Sequence, residues 1–425
     1  MADPFALTKP ALALLVMLLI MAVSPLLVEP AYIGYLVAYG VLLVLVAPAL
    51  LTRSHGPGLR TPPLIAWGVF GTGVAAVTIF ANPALRDLFR DSGAVVSFLI
   101  GLLLIPRAMG RDWERPLFAA LSALALIVAV WTILGAARAY LAGAGAYEWR
   151  GVYVPFVHTW LPYLIVAEYL RSRMPGSKPE VSAIRIGICI LALLLSLSRT
   201  GLVQLAVFIP MVVLINARRW LFNPRGVLLA ILAVGVAILV FPYLVGLDVV
   251  QQRINAGIDD GDLSLAWRDM EVRAARDYLD DGGWFRWLFG YGLGARVPLP
   301  WGIVDFNDNI AIPQLHNSYW TLTVKFGVLG LLWILAAIAV TFVRAHSVRA
   351  GPSALRSGGS WMLLMVMLIA YTLQGMSEWS HLLFLGLSCA LLCKAGDRRI
   401  LPLRLPSRST RAAPLRIGER SGIRP

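Results

Sequence analysis

The chain has 425 residues, of which 59% are hydrophobic and only 14% are charged, and its formal net charge is +14. A soluble chain of ordinary composition carries about 25% charged residues, so this composition excludes a water-soluble globular protein. The apolar residues form runs of about 16 to 25 residues, long enough to cross a bilayer core of roughly 30 Å as helices. Short alternating segments, which a membrane β-barrel needs, are missing. The sequence therefore predicts an all-α polytopic membrane protein.

In chain order, the apolar runs predict about twelve transmembrane helices. The predicted spans are 10–28, 32–52, 62–80, 92–109, 116–140, 152–170, 183–198, 200–216, 226–246, 316–343, 360–375 and 379–394. The first run is longer than a signal peptide and lacks a small-residue cleavage site, so we expect it to remain as a helix.

Lysine and arginine predict the orientation, because cytoplasmic loops of membrane proteins are enriched in these residues. With the N-terminus inside, every loop on the inner side is basic. The short loops on the other side contain only Arg86, Arg90, Arg138, Arg150 and Arg199. We therefore expect both termini in the cytoplasm, and a positive charge that anchors the protein to the membrane rather than binding nucleic acid.

Four regions follow from this topology. Residues 1–246 hold transmembrane helices 1–9, and residues 316–394 hold helices 10–12. Residues 247–315 form a large external loop with eleven acidic and six basic residues, in contrast to the basic remainder. Residues 395–425 form a basic tail, which we expect to be disordered and to lie against anionic headgroups.

Several chemistries find no support in the sequence. The cysteines, Cys189, Cys389 and Cys393, fall in predicted spans without a histidine partner and are interpreted as apolar core residues. No metal-ligand spacing, P-loop or Rossmann fingerprint is present, so we expect no metal and no cofactor. The spans show no repeat and no two-fold halving, which weakens a transporter interpretation.

Arginines on the external side are candidates for binding phosphate. Arg86 and Arg90 are four residues apart and share a face if the segment is helical. They suit a lipid phosphate, or alternatively they snorkel and pair with Asp87 and Asp91. Arg199, in the motif 198–201, lies between two apolar runs, where a charge is costly and tends to mark a site. Its guanidinium suits a pyrophosphate oxygen, and the alternative is an arginine that reaches the headgroups at a tight turn.

Within the external loop, residues 262–279 are predicted to form an amphipathic helix that ends at 282–283. Arg268 is expected to point toward the bilayer surface, whereas Arg273 and Arg276 face carboxylates and are expected to be solvated. The apolar stripe expected to pack onto the membrane helices consists of Trp267, Met270, Ala274 and Tyr278.

The loop ends with a glycine-rich aromatic stretch at 289–292 and the segment 316–319, which begins the next span. A neutral histidine such as His316 can take a proton from a sugar hydroxyl, although a lone histidine is more often structural. In this order, the motif 198–201, the arginine-bearing helix, the stretch 289–292 and the segment 316–319 resemble the O-antigen ligase and polymerase superfamily. The match covers about residues 190–330 and looks closer to the ligases.

The resemblance implies a GT-C-like architecture and a metal-independent glycosyltransferase on the periplasmic face of the inner membrane of a Gram-negative bacterium. Its donor would be a polysaccharide linked to undecaprenyl pyrophosphate, and its acceptor lipid A-core, among membrane lipids. The family's essential residues carry over to Arg199, Arg268 and His316. His316 would be the general base, and the arginines would stabilise charge on the departing pyrophosphate with inversion at the anomeric carbon.

Further candidates for substrate binding are Asn317, Tyr319, Arg86, Arg90 and Glu378. Glu378 would orient His316 or an arginine, or alternatively it is a solvated loop acid. His381 has no counterpart in the motif and is interpreted as a bystander near the outer surface. An O-antigen polymerase or a protein O-oligosaccharyltransferase would share this chemistry with another acceptor. A transporter would need charges along a midplane pathway, whereas the polar residues cluster at one face.

Overall fold

The computed structural model describes residues 8–27, 36–44, 74–79, 83–109, 112–144, 152–153, 156–174, 176–196, 198, 200–201, 203–210, 263–299, 311–347, 353–372 and 378–395. Most of these residues are helical, as the composition predicts. The predicted span 226–246, the tail after Ala395 and Arg199 lie outside the described residues.

The described elements follow one another as a chain of helices with one small sheet. They are α1 (Lys9–Leu27), α2 (Leu85–Leu99), a π-helical segment (Ile100–Leu104), α3 (Ile105–Met109), α4 (Glu114–Leu141), a 3-10 turn (Phe156–Trp160), α5 (Leu161–Ser172), α6 (Pro179–Leu195), α7 (Leu263–Asp281), α8 (Gly283–Phe289), β1 (Val297–Pro298), β2 (Ala311–Ile312), α9 (Ser318–Ser347), α10 (Ser353–Thr372) and α11 (Trp379–Ala395). Strands β1 and β2 are antiparallel, with Val297 opposite Ile312.

Three of the described helical stretches are long and apolar enough to cross a membrane, namely Leu85–Met109, Glu114–Leu141 and Ser318–Ser347. Shorter apolar helices cover Lys9–Val23 and Trp379–Ala395. These five stretches coincide with predicted spans. The total of twelve spans stays a prediction.

Helix α2 begins at Leu85 rather than at residue 92, so the predicted loop at 82–91 is helical from Leu85 onward. These first two turns are polar, but the side chains of Asp87 and Asp91 are only 5% and 2% exposed. Cations from distant parts of the chain neutralise both carboxylates, as described below. Local polarity therefore predicted a loop where tertiary ion pairs stabilise a helix.

Helix α11 packs against α2, the π-helical segment, α9 and α10, while α4 packs against α1, α5 and α6. The crossing of α11 with the π-helical segment is very close. A Cβ atom on Gly101 would lie 2.3 Å from the Leu383 carbonyl oxygen, and one on Gly386 would lie 2.2 Å from that of Phe98. Small residues allow such an approach, as in other membrane helix pairs.

Charged contacts gather at two ends of the helix bundle. The end at which α7 and α8 pack on α9 is called the insert end, and it contains the ion pairs Asp87–Arg296 and Asp91–Lys325. The opposite end contains Glu168–Arg171 and Glu114–Lys394. The pair Asp87–Arg296 joins two segments predicted to be external, and the pair Glu114–Lys394 joins two segments predicted to be cytoplasmic.

Helix α9 is interrupted at Gly327, where φ is 69° and ψ is 178°. The carbonyl groups just before the interruption, those of Val324 and Lys325, accept hydrogen bonds at 2.8 Å from the backbone N–H groups of Tyr291 and Gly292. The glycine-rich stretch thus pairs with backbone groups of the broken helix, which is how irregular backbone is tolerated in membrane proteins. These hydrogen bonds attach the external loop of residues 247–315, called the insert below, to α9.

Candidate active site

Helix α7 runs close to its predicted bounds and ends where the pair 282–283 was expected to stop it. Its buried face packs on Leu315 and Val324 through Ala274, Ala275 and Leu279. Of the predicted stripe, Ala274 and Tyr278 belong to this cluster, whereas Trp267 and Met270 are half-buried outside it. Arg273 pairs with Asp269, and both side chains are solvated, at 75% and 58% exposure. The expected solvation of Arg273 is confirmed.

The turn before α9 positions His316. The side-chain oxygen of Asn317 accepts the N–H groups of Tyr319, at 3.0 Å, and Trp320, at 3.4 Å, so Asn317 caps the helix. The N–H of Leu315 donates to the Thr321 hydroxyl at 2.9 Å. These bonds define the backbone on both sides of His316.

Glu271 of α7 binds His316 through both carboxylate oxygens. Oε2 lies 2.7 Å from the backbone nitrogen of His316, and Oε1 lies 2.8 Å from its Nδ1. The Trp267 indole N–H also donates to Oε1 at 2.6 Å. The Glu271 side chain is 2% exposed, whereas that of His316 is 37% exposed. A buried acid therefore holds a histidine that solutes can reach.

Arg268 lies on the same side of α7, because residues three apart on a helix are neighbours. Its side chain is half-buried. Of the three residues carried over from the motif, His316 therefore binds Glu271, and Arg268 lies one helical turn before that carboxylate on α7. The third, Arg199, lies outside the described residues. Its neighbour Ser198 is buried and accepts the Gly201 N–H at 3.3 Å, in a tight turn after α6.

Asn317 and Tyr319, the candidates for substrate binding after His316, have structural partners. Asn317 caps α9, and the Tyr319 hydroxyl donates to the Met367 carbonyl of α10 at 3.1 Å. Their contact with substrate stays a prediction.

The external arginines differ in their surroundings. Arg86 is exposed. Arg90 donates to Asp87 through Nη1 at 2.7 Å and to Asp91 through Nε at 3.0 Å. Arg90 therefore has the carboxylate partners that the alternative interpretation expected. Phosphate binding by either arginine stays a prediction.

Glu378 contacts His381 and not His316, which was one of the partners expected for it. Its Oε2 lies 3.3 Å from Nε2 of His381, and its Oε1 accepts the Ser380 hydroxyl. His381 is fully buried, with Nδ1 3.1 Å from the Tyr163 hydroxyl. The carboxylate beside His316 is therefore Glu271 and not Glu378. His381 is a buried link between α5 and α11, because its ring reaches partners on both.

An aromatic cluster supports the site from the side of α8. Tyr278 and Tyr291 stack with centroids 4.1 Å apart, and the Tyr291 hydroxyl donates to the Tyr278 carbonyl at 2.7 Å. Burial raises the pKa of both phenols, so each stays a neutral donor. Trp287 packs edge-on against Trp320, one turn into α9. The cluster joins α7, α8 and α9.

Sequence reasoning missed two buried charges. Glu271 follows Trp267 by four residues and precedes Ala274 by three, so a carboxylate stands within the apolar stripe of α7. Lys325 is a charge inside the predicted span 316–343. Both positions contradict the local apolar pattern, and that contradiction was the available signal.

The described residues contain no group of three or more histidine, cysteine or acidic side chains that could hold a metal ion. A mechanism without metal or cofactor stays a prediction.

Fold and site define a class: a helical membrane protein in which a polar insert presses an arginine-bearing helix against a histidine at the start of a membrane-length helix. Residues 186–335 match the family model described as O-antigen ligase. The resemblance drawn from the sequence is thereby confirmed for these residues, and the match supports membership of the O-antigen ligase superfamily. No curated protein matches the chain.

Proposed function

We propose that the protein transfers O-antigen polysaccharide from undecaprenyl pyrophosphate to lipid A-core. The observation that carries this proposal is the contact of Glu271 with His316, inside the region that matches the family, with Arg268 one helical turn before Glu271 on α7. A base and a cation are the groups that metal-free glycosyl transfer from a lipid pyrophosphate requires.

The proposed reaction is a single displacement. His316 takes the proton of an acceptor sugar hydroxyl, and that oxygen attacks the anomeric carbon of the donor. The bond from this carbon to the phosphate oxygen breaks, and undecaprenyl pyrophosphate leaves with the electron pair. Attack opposite the leaving group inverts the anomeric configuration.

Arg268 and Arg199 stabilise the negative charge that grows on the departing pyrophosphate. A guanidinium is always charged and offers donors in a fork that matches phosphate oxygens. Donors that are already oriented toward developing charge lower the barrier without a metal ion. The donor supplies the free energy of the reaction, so the enzyme needs no nucleotide site.

In this proposal the insert end faces the periplasm, and the protein lies in the inner membrane of a Gram-negative bacterium with both termini in the cytoplasm. The basic loops support that orientation, because positive residues are retained on the cytoplasmic side. The ion pairs Asp87–Arg296 and Glu114–Lys394 agree with it, because each joins two segments predicted to lie on the same side of the membrane.

Transfer with purified components tests the proposal. The protein in nanodiscs is mixed with undecaprenyl-pyrophosphate-linked glycan and lipid A-core, and products are separated by electrophoresis. We expect the acceptor to shift in mobility, in the presence of EDTA as in its absence. Lengthening of the donor without acceptor would show a polymerase, and glycan on a protein acceptor an oligosaccharyltransferase. Unchanged donor and acceptor would overturn covalent transfer.

A further inference from the structure

We infer that Glu271 is a positioning residue that holds His316 and selects the imidazole tautomer in which Nε2 is the base. This inference rests on the proposed role of His316 in glycosyl transfer. It starts from one observation, that a single buried carboxylate binds both the backbone and the ring of the same histidine.

The two hydrogen bonds restrict the histidine side chain. Oε2 of Glu271 fixes the backbone N–H of His316, and Oε1 fixes Nδ1, so the ring is held relative to its own backbone. The Trp267 N–H fixes the carboxylate in turn through Oε1. A base must lie within hydrogen-bond reach of its substrate hydroxyl, and such restriction keeps the ring in one direction.

The same contacts determine which ring nitrogen carries the proton. Two of the three donors around Glu271, the Trp267 indole and the His316 backbone, have no acceptor form. An ionised carboxylate only accepts, so Nδ1 must donate and carries the hydrogen of the neutral ring. The lone pair is then on Nε2, which makes no hydrogen bond with the described residues. Because 37% of the His316 side chain is exposed, an acceptor hydroxyl can approach it.

The variant Glu271→Gln separates positioning from packing, because glutamine has the same shape. If its oxygen accepts the His316 backbone N–H, its amide NH₂ faces Nδ1 and the Trp267 N–H. Nδ1 must then accept, and the proton moves to Nε2, which is the wrong tautomer for a base. If the amide is turned over, its NH₂ opposes the backbone N–H instead. Neither orientation preserves the native set of hydrogen bonds.

Kinetics and nitrogen NMR of the purified full-length protein test the inference. We expect Glu271→Gln to lower kcat by about 10²- to 10⁴-fold, the range of a general base, with KM for the donor nearly unchanged. The ¹⁵N signals of His316 should show an Nδ1-protonated ring in the native protein and a share of Nε2-protonated ring in Glu271→Gln, and His316→Ala identifies these signals among the five histidines. Glu271→Asp, which keeps a carboxylate, should preserve the tautomer and more activity than the glutamine variant.

Asp269→Asn is the matched control, since Asp269 lies on the same helix but is exposed and pairs with Arg273. It should leave kcat and the tautomer unchanged. An Nε2-protonated ring in the native protein, or undiminished kcat in Glu271→Gln, would overturn the inference. The tautomer is measured without substrate, so it decides the role of Glu271 even if transfer to lipid A-core is not observed. If only the proposed transfer reaction is wrong, the ¹⁵N signal of His316 still shows the Nδ1-protonated ring.

Discussion

Lys325 donates to Asp91 across 2.6 Å between Nζ and Oδ2, in an ion pair whose side chains are 5% and 2% exposed. The same Oδ2 accepts the Gly294 N–H at 2.7 Å. One turn earlier, Asp87 binds the guanidinium of Arg296 with two bonds, which raises the pKa of Arg296 through the hydrogen bonds to that carboxylate. Two carboxylates of α2 thus hold both α9 and the segment 294–296 that follows the glycine-rich stretch.

Removing the charge of Asp91 should destabilise the protein strongly, because it leaves Lys325 buried without its partner. We expect Asp91→Asn to cost about 3–5 kcal/mol, which is typical of breaking a buried pair. Thermal unfolding in detergent, followed by tryptophan fluorescence, measures this loss. Asp269→Asn breaks the exposed pair with Arg273 and should cost less than about 1 kcal/mol. Equal effects of the two variants would contradict the structural role of Asp91.

A side chain at Gly327 should separate the insert from α9. The residue has a positive φ, and an added Cβ would lie 2.0 Å from the backbone oxygen of Leu288. We therefore expect Gly327→Ala to reduce transfer activity and to expose the glycine-rich stretch to limited proteolysis. Gly187→Ala in α6 is the control, because its Cβ would meet no atom within 4 Å and alanine favours helices by about 1 kcal/mol. Unchanged protease resistance in Gly327→Ala would contradict the prediction.

Loss of the imidazole should abolish transfer without unfolding the protein. We expect His316→Ala to insert and purify normally, because the side chain is partly exposed and the turn is held by other bonds. Product formation should fall by at least about 10²-fold in the electrophoretic assay. His346→Ala serves as the control, since His346 is exposed near the other end of α9. Normal transfer by His316→Ala would remove His316 as the base.

Lysine should not replace the two candidate arginines. A lysine keeps the charge but lacks the forked geometry that binds two phosphate oxygens. We expect Arg199→Lys and Arg268→Lys each to lose nearly as much activity as the alanine variants, measured as kcat/KM for the donor. Arg273→Lys should remain fully active, because Arg273 is solvated. Full activity of Arg199→Lys or Arg268→Lys would show that the position needs only a positive charge and not the forked guanidinium.

Sequence patterns predicted correctly those features that depend on a single segment of the chain. The amphipathic period placed α7, and the glycine pair placed its end. Apolar runs located the membrane-length helices. The predicted start of α2 was wrong by about two polar turns, since Arg296 and Lys325, which pair with Asp87 and Asp91, lie more than two hundred residues away in the sequence.

The sequence by itself determined the helical membrane class, the position of the insert and the candidate residues His316 and Arg268, because hydropathy and motif order are local properties. The tertiary structure alone decided that Glu271, and not Glu378, binds His316, and that Asp91 neutralises Lys325. Eleven acidic residues lie in the insert, and nothing local distinguishes the one that meets a histidine. Pairing between distant segments depends on how helices pack, and packing is a property of the whole chain.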